Sequence, residues 1–505
     1  MSERYLAVVD LGAESGRVHL ARYDGRRLTL EEVHRFANGP VALPQHLYWN
    51  VLALWQEVVS GLRKARRLAG KLDSIGVDTW GVDYALLDER GLLLGMPVHY
   101  RDRRTEGLME EAFTRLSREE IYARTGIQFM PINTLYQLLA HQREQPRLLE
   151  HATHLLLMPD LFHYWLSGER LCEYTNATTT QCWSVPQGDW ARDLLVRLGL
   201  PVHFLPPVVA PGTPLGKLQG ELAEELGREV TIVAPATHDT AAAVAGIPMP
   251  ATPHDRAYIS SGTWSLVGLE LSHPQIAQGS ASNFTNEGGV FGTVRFLRNV
   301  MGLWLLQECR RSWQEQGQSF TYEQLFALAA GAPARTALFD PDHPGFLPPG
   351  DMPTRIRQQL GAYSQPVPAV EDIPALVRAI LDSLILRYRQ ILELAVSITR
   401  GALQAIHIVG GGAQNRWLNQ GLADATGLMV IAGPIEATAQ GNALLQLVGL
   451  GELHSLEEVR ALAANSTATE TFLPHPEQRA AWDEAYARFT ALFPLIPPPQ
   501  EQRGC

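Results

Sequence analysis

Two stretches far apart in this chain follow the same local plan, and that repetition restricts the fold more than any other feature. Tyr5-Leu-Ala-Val-Val-Asp10 is an apolar run that reads as a buried strand. Leu11-Gly-Ala-Glu-Ser-Gly16 follows as a tight turn, and residues 17–23 alternate as a return strand. Ala257-Tyr-Ile-Ser260, the turn Ser261-Gly262-Thr263 and an alternating run over 264–271 repeat the plan. Asp24-Gly25 turns the first copy into a third strand.

Each copy leads into strand-to-helix units. Residues 52–69 have the period of an amphipathic helix, and Leu72-Asp-Ser-Ile-Gly-Val-Asp78 is the next strand. Downstream, Ala405-Ile-His-Ile-Val409 ends in Gly410-Gly-Gly-Ala-Gln-Asn415 before a helix over 416–426. Met429-Val-Ile-Ala-Gly-Pro434 precedes another helix over 436–450. This pattern predicts an α/β protein with two similar halves. Ile247-Pro-Met-Pro-Ala-Thr-Pro-His-Asp255 is proline-rich and linker-like. The expected segments are therefore 1–246, 247–450, and a C-terminal helical segment and tail over 451–505, frayed from Pro494 onward.

Bulk properties remove several function classes. An apolar content of 46% with 19% charged residues describes a globular chain rather than a disordered one. A net charge of −11 argues against a general nucleic-acid binder, and Arg63-Lys64-Ala65-Arg66-Arg67 reads as a solvated helix face. Four cysteines without C-x-x-C spacing fit a reduced, cytoplasmic protein. Met1-Ser-Glu-Arg enters the first strand without a signal-peptide pattern, and no apolar run has the length of a membrane span. No membrane or nucleic-acid partner is expected, and oligomeric state is not legible.

The stretch richest in chemistry is Val230-Thr-Ile-Val-Ala-Pro-Ala-Thr-His-Asp-Thr-Ala-Ala-Ala-Val-Ala-Gly246. It places Asp239 after a strand and at the start of a helix, where α/β proteins commonly bind ligands. The helix field there favours anions and an ionised carboxylate. Asp239 suits a general base taking a sugar hydroxyl's proton during phosphoryl transfer, and equally suits a helix cap. Asp10-Leu-Gly-Ala-Glu-Ser-Gly-Arg17 is neither a P-loop nor a dinucleotide fingerprint. Its backbone amides suit phosphate binding, and Asp10 suits Mg²⁺, directly or through water; an ordinary β-turn fits as well. Ser261-Gly-Thr-Trp264 and Gly410-Gly411-Gly412 carry the same two readings, ligand approach or plain packing. Asp78-Thr-Trp-Gly-Val-Asp83 joins two acids, an indole and a glycine, a mixture suited to a sugar, or to a buried Trp80 with turn acids. Asn299 and Gln307 are amides in residues 297–307, a run expected to be a mostly apolar helix.

Taken together, Asp10-Leu-Gly-Ala-Glu-Ser-Gly, Ser261-Gly-Thr-Trp, Val409-Gly-Gly-Gly and Gly433-Pro-Ile-Glu-Ala-Thr-Ala-Gln-Gly-Asn-Ala443 resemble, in order, the motifs of the FGGY carbohydrate kinases. The resemblance spans residues 4 to 485. It implies two actin-like, ribonuclease-H-like domains facing a central cleft. Ile75-Gly-Val-Asp-Thr-Trp-Gly-Val-Asp83, Tyr100-Arg-Asp-Arg-Arg-Thr105, Glu173-Tyr-Thr-Asn-Ala-Thr-Thr-Thr-Gln181, His238-Asp-Thr240 and Asn286-Glu-Gly-Gly289 are similar to the branch that acts on the deoxy-ketose L-rhamnulose. The glycerol branch usually has an Arg-Glu pair where this chain has Trp80-Gly81.

Carried over by position, the resemblance implies Asp239 as general base, with Gly81, His238, Thr240 and Asn299 at the sugar. It implies ATP contacts from Ala13, Glu14, Ser15, Gly16, Arg17, Thr263, Gln307 and Gly411, with Mg²⁺ near Asp10. The implied reaction is ATP plus L-rhamnulose giving ADP and L-rhamnulose 1-phosphate. An L-fuculose kinase and a non-enzymatic nucleotide switch are the alternatives, the second disfavoured because a switch needs no sugar pocket.

Overall fold

The computed structural model describes residues 3–251 and 255–495. Part of the proline-rich boundary and the tail from residue 496 on, with Cys505, lie outside the described residues. The chain forms two compact units that interleave in sequence. The first comprises Met1–Pro253, Glu270–Phe296 and Glu436–Ala468; the second comprises His254–Leu269, Leu297–Ile435 and Thr469–Cys505. The expected segments 1–246, 247–450 and 451–505 are contiguous in sequence, whereas these units are not.

In the first unit, β1 (Arg4–Leu11), β2 (Ser15–Tyr23), β3 (Leu28–Ala37), β4 (Ser74–Thr79), β5 (Thr213–Lys217) and β6 (Thr231–Ala234) form one sheet in the order β5-β6-β4-β1-β2-β3. β1 pairs antiparallel with β2 and parallel with β4, and β6 is parallel to β4. Every residue of β4 is buried, as its position inside the sheet requires. Helix α1 (Val51–Ala69) starts where the Asn50 side chain accepts the Ala53 N–H, and ends at Gly70, whose φ of 74° is the left-handed cap. Its buried stripe of Val51, Leu54, Val58, Leu62 and Ala65 follows helical spacing and packs on β1, β2 and β3.

Helix α2 (Asp239–Ala245) lies against the helix Ala437–Gly449, and small residues make that approach possible. A Cβ on Gly441 would overlap the Ala242 carbonyl. The return of Ala437–Gly449 to the first unit also delivers a buried amide network. Gln446 Nε2 donates to the Ala7 carbonyl at 3.1 Å, and Ser74 Oγ donates to Gln446 Oε1 at 2.6 Å. Residues between β4 and β5 add a largely helical layer whose core includes Tyr84, Leu135, Tyr136, Leu155 and Phe204.

The second unit repeats the pairing rule. β7 (Arg256–Ser261) is antiparallel to β8 (Ser265–Leu271) and parallel to β9 (Ala405–Val409). β9 pairs parallel with β10 (Met429–Ala432), which pairs antiparallel with β11 (Glu470–Phe472). The helix Ile373–Thr399 runs 27 residues with most of its first five turns buried. One expectation is corrected here. Residues 297–307 are not a continuous helix: Val294–Val300 is a strand, and a helix begins only at Trp304. Gly302, at φ 63°, makes the turn between them, and a Cβ there would come within 2.6 Å of the Ser265 nitrogen. Asn299 therefore stands on a strand.

Among the described residues no helix is long and apolar enough to cross a membrane, and Cys172, Cys182 and Cys309 are buried free thiols.

Candidate active site

The first unit gathers its acids at the carboxyl ends of parallel strands. The register sets Asp10 directly opposite Asp78 on β1 and β4. Beyond β4, the Thr79 N–H donates to the Thr237 carbonyl at 2.9 Å, and Thr79 bridges to His238. That pairing brings the turn after β6 beside the turn after β4. Glu173 secures it from below: one carboxylate oxygen accepts the Thr237 N–H at 2.9 Å and hydroxyl at 2.8 Å. The other accepts the Thr175 N–H at 2.8 Å, and the His238 N–H donates to Thr175 Oγ1 at 3.3 Å. Burial raises the Glu173 carboxyl, while Thr175 and Thr237 pull against that rise.

Asp239 does not cap its helix. His238 holds the N-cap position without a side-chain cap, and Asp239 is the first helical residue. Asp239 Oδ1 accepts the Thr240 N–H at 2.5 Å and its hydroxyl at 3.1 Å. The Asp239 side chain remains 32% exposed, against 10% for His238. An accessible carboxylate between buried neighbours can meet a substrate hydroxyl. His238 Nε2 is 3.5 Å from Asp239 Oδ1. On the ring's other side, Nδ1 is 3.1 Å from Arg295 Nη2 and 3.4 Å from Glu287 Oε2. Burial pushes the Glu287 carboxyl up, yet the Arg295 guanidinium beside it holds it below the ordinary glutamate value.

The Trp80-Gly81 segment borders the same turn. Trp80 is buried and stacks on fully buried Trp49 with ring centroids 3.9 Å apart. Asp83 binds both indoles: Oδ2 accepts Trp49 Nε1 at 2.6 Å, Trp80 Nε1 at 3.0 Å and the Tyr100 N–H at 3.2 Å. Oδ1 accepts Gln137 Nε2 at 2.8 Å. Burial pushes the Asp83 carboxyl up to about 6 despite these donors. The reading of Trp80 as a buried indole among turn acids is thus the observed one. A Cβ on Gly81 would lie 3.0 Å from Thr179 Oγ1. Val82 follows at φ 67°, a left-handed conformation that a β-branched residue rarely takes. The Thr134 hydroxyl donates to its carbonyl at 2.6 Å, and its own N–H donates to Thr179 Oγ1 at 3.2 Å. Such strain concentrates at functional sites.

Asp10 is paired with Arg17, whose Nη1 is 3.4 Å from Asp10 and 2.7 Å from Glu436. Burial pushes the Asp10 carboxyl up to about 7; Arg17 lowers it, and Asp239 and Glu436 raise it further. Burial and Asp10 also raise Asp78 well above its usual range. Asn442 Nδ2 donates to Asp78 Oδ2 at 2.5 Å, whereas Asp78 Oδ1 is buried without a hydrogen bond. His19, Glu32 and Glu436 cluster nearby, with one ligand atom from each within 4.8 Å of the others. Arg17 and Arg35 already neutralise those two glutamates.

The turn carrying Ala13, Glu14 and Ser15 is closed by Gly12 N–H to Ser15 carbonyl, 3.0 Å, and tied down by Asn38, whose Nδ2 donates to the Gly12 carbonyl at 2.8 Å. Gly16 has a structural reason of its own, because a Cβ there would overlap the Phe36 ring.

Thr263, Gln307 and Gly411 lie in the second unit, as does Asn299. The Trp304 N–H donates to the Thr263 carbonyl at 2.9 Å, which fixes the β7–β8 turn to the helix bearing Gln307. Gln307 Oε1 is buried without a hydrogen-bond partner. In the glycine triplet, Cβ atoms on Gly410 and Gly412 would run into Ser261, whereas one on Gly411 would meet nothing within 4 Å. Packing therefore explains two of the three glycines and leaves Gly411 facing open space.

Sequence reasoning quoted Glu173 and Glu287 only as members of matching motifs, without a role, and did not single out Arg295 or the donor role of Asn442. Arg295 did leave a signal: a cation in the otherwise apolar run Val294-Arg-Phe-Leu297 needs a buried acid.

The FGGY family of carbohydrate kinases matches by its N-terminal domain over residues 5–246 and by its C-terminal domain over 257–450. A rhamnulokinase of Pectobacterium carotovorum is 43% identical over 497 residues, covering 97% of this chain and 97% of the relative. A rhamnulokinase of Bacteroides thetaiotaomicron is 41% identical over 491 residues, covering 97% and 99%. Among solved structures, the ligand-bound xylulose kinase of Lactobacillus acidophilus superposes with a TM-score of 0.80 at 16% identity, over 97% of each chain. That likeness is one of fold, the actin-like two-domain α/β fold expected from the sequence. With both family domains matched and full-length relatives above 40% identity, the chain belongs to the FGGY family of carbohydrate kinases.

Proposed function

We propose that this enzyme transfers the γ-phosphoryl group of ATP to the 1-hydroxyl of L-rhamnulose, giving L-rhamnulose 1-phosphate and ADP. The observation that carries the chemistry is Asp239, a partly exposed carboxylate at a strand-to-helix turn, flanked by His238 and by the Trp80-Gly81 segment. The names of the full-length relatives support the choice of ketose.

In this reading Gly81, His238, Thr240 and Asn299 bind the sugar, and Ala13 to Arg17, Thr263, Gln307 and Gly411 bind ATP. The 1-oxygen attacks the γ-phosphorus as the bond to the bridging oxygen of ADP breaks, and the hydroxyl proton passes to Asp239. A primary alcohol is a weak acid, so the proton leaves late, as the new P–O bond forms. Base assistance of this kind contributes roughly 10²–10⁴-fold, and alignment of the reactants supplies more. The turn amides that follow Gly12 suit the phosphate oxygens.

The acids at the strand ends fit a hard divalent cation. They offer oxygen donors, Asp78 Oδ1 is buried without a hydrogen bond, and burial together with neighbouring acids raises both Asp10 and Asp78. Asp10 would hold Mg²⁺, directly or through water. When bound, the ion neutralises charge on the transferring phosphate oxygens. The test is the Asp239→Asn enzyme, which keeps the side chain's shape and removes the base. Ketose-dependent ADP release near the wild-type rate would overturn the assignment.

A further inference from the structure

We propose that Arg295 is a positioning residue for this transfer: it fixes His238 as the neutral tautomer protonated on Nε2, so that the ring donates a hydrogen bond to the ketose beside Asp239. The part played by the ketose rests on the function proposed above; the tautomer does not.

The inference follows from what a guanidinium can do. Arginine carries five donors and no acceptor, and it stays protonated in proteins. Arg295 Nη2 lies 3.1 Å from His238 Nδ1 in hydrogen-bond geometry, so Nδ1 must present its lone pair. A neutral imidazole has one donor and one acceptor nitrogen, and the proton is therefore on Nε2. Nε2 is the nitrogen facing Asp239, with Oδ1 at 3.5 Å. That separation is too long for a good hydrogen bond, which leaves the N–H free for a substrate oxygen.

Arg295 is held so that it cannot turn away. Its side chain is 0% exposed, and its Nε donates to the Gly288 carbonyl at 2.9 Å. Glu287 Oε2 sits 3.1 Å from Nη2 and balances the buried charge. Glu287 also approaches Nδ1, at 3.4 Å, but that oxygen makes no hydrogen bond. The nearer contact, with better geometry, is the arginine. The consequence for catalysis is direct: an imidazolium beside Asp239 would pair with the carboxylate and blunt it as a base, whereas a neutral N–H donor leaves it basic.

The first test needs no turnover. In full-length protein labelled with ¹⁵N-histidine, the His238 ring signals are assigned by their loss in His238→Gln. At neutral pH, Nδ1 should resonate as an unprotonated nitrogen and Nε2 as a protonated one. A ring protonated on Nδ1, or on both nitrogens, overturns the proposal even if the enzyme is an active ketose kinase. Conversely, failure to phosphorylate any ketose would remove the proposed function and leave this result standing.

The second test is kinetic. Glutamine at position 238 carries its amide nitrogen near the place of Nε2, and asparagine near that of Nδ1. The His238→Gln enzyme should keep kcat/KM for the ketose within about tenfold of wild type, the scale of one hydrogen bond, and His238→Asn should fall at least about tenfold further. Arg295→Lys should raise KM for the ketose several-fold with KM for ATP unchanged. Equal losses in the two His238 variants, or a matching rise in both KM values for Arg295→Lys, would contradict the role.

Discussion

Asp83 accepts the indole N–H of Trp49 at 2.6 Å, although both side chains are buried. The same oxygen holds Trp80, so one carboxylate keeps two stacked indoles in place beside Gly81.

That burial has a consequence with a definite sign. The folded Asp83 carboxyl is raised to about 6 from an ordinary 3.8. A raised carboxyl contributes stability that is fully present below about 4 and lost as pH rises through about 6. Asp83→Asn removes the titration. The difference in thermal midpoint, wild type minus variant, should therefore fall between about pH 4 and pH 6 and be flat above about pH 7. The swing is on the order of 2–3 kcal/mol at most. A difference that stays constant across this range, or that rises, would contradict the buried-carboxylate account.

The glycine triplet separates packing from ligand approach. Gly412→Ala should cost about 1–3 kcal/mol, because the methyl group overlaps Ser261. Gly411→Ala meets open space and should change stability by about 0.5 kcal/mol or less, while raising KM for ATP. Thermal melts and nucleotide titrations on the two variants check both halves.

Asn442 Nδ2 donates to Asp78 Oδ2 at 2.5 Å, while Asp78 Oδ1 is buried without a hydrogen bond. Asn442→Ala strands a buried carboxyl and should lower stability by about 1–3 kcal/mol, measured by denaturant titration. A neutral result would mean that another group takes up Asp78.

Much of this was legible in the sequence because turns and strand ends write local signals. The two glycine hairpins, the strand-to-helix units and the position of Asp239 all follow from short runs of apolar residues broken by Gly, Pro or Asp. The reading failed where the cause lies far away in the chain. Residues 297–300 look helical by composition, yet pairing within a sheet makes them a strand, and Gly302 turns against Ser265 before the helix can start. Gly16 resembles a phosphate-loop glycine, but the Phe36 ring already excludes a side chain there. Glu173, Glu287, Arg295 and Asn442 act on partners from other elements. No local pattern announces such pairs, beyond the general need of a buried charge for a counter-charge. The interleaved units are invisible for the same reason, since residues 436–468 rejoin the first unit through packing of α2 against Ala437–Gly449.

Asp239→Asn should reduce kcat by roughly 10²–10⁴-fold while leaving the thermal midpoint within a few degrees, because the amide still fits the Thr240 contacts. A loss of folding in parallel would assign Asp239 a structural role.

The most direct measurement is ADP release by the purified enzyme with ATP and Mg²⁺, comparing L-rhamnulose, L-fuculose, D-xylulose, glycerol and no sugar. The account predicts release that depends on sugar and is fastest with L-rhamnulose. Release without sugar, or none with any ketose, would contradict it.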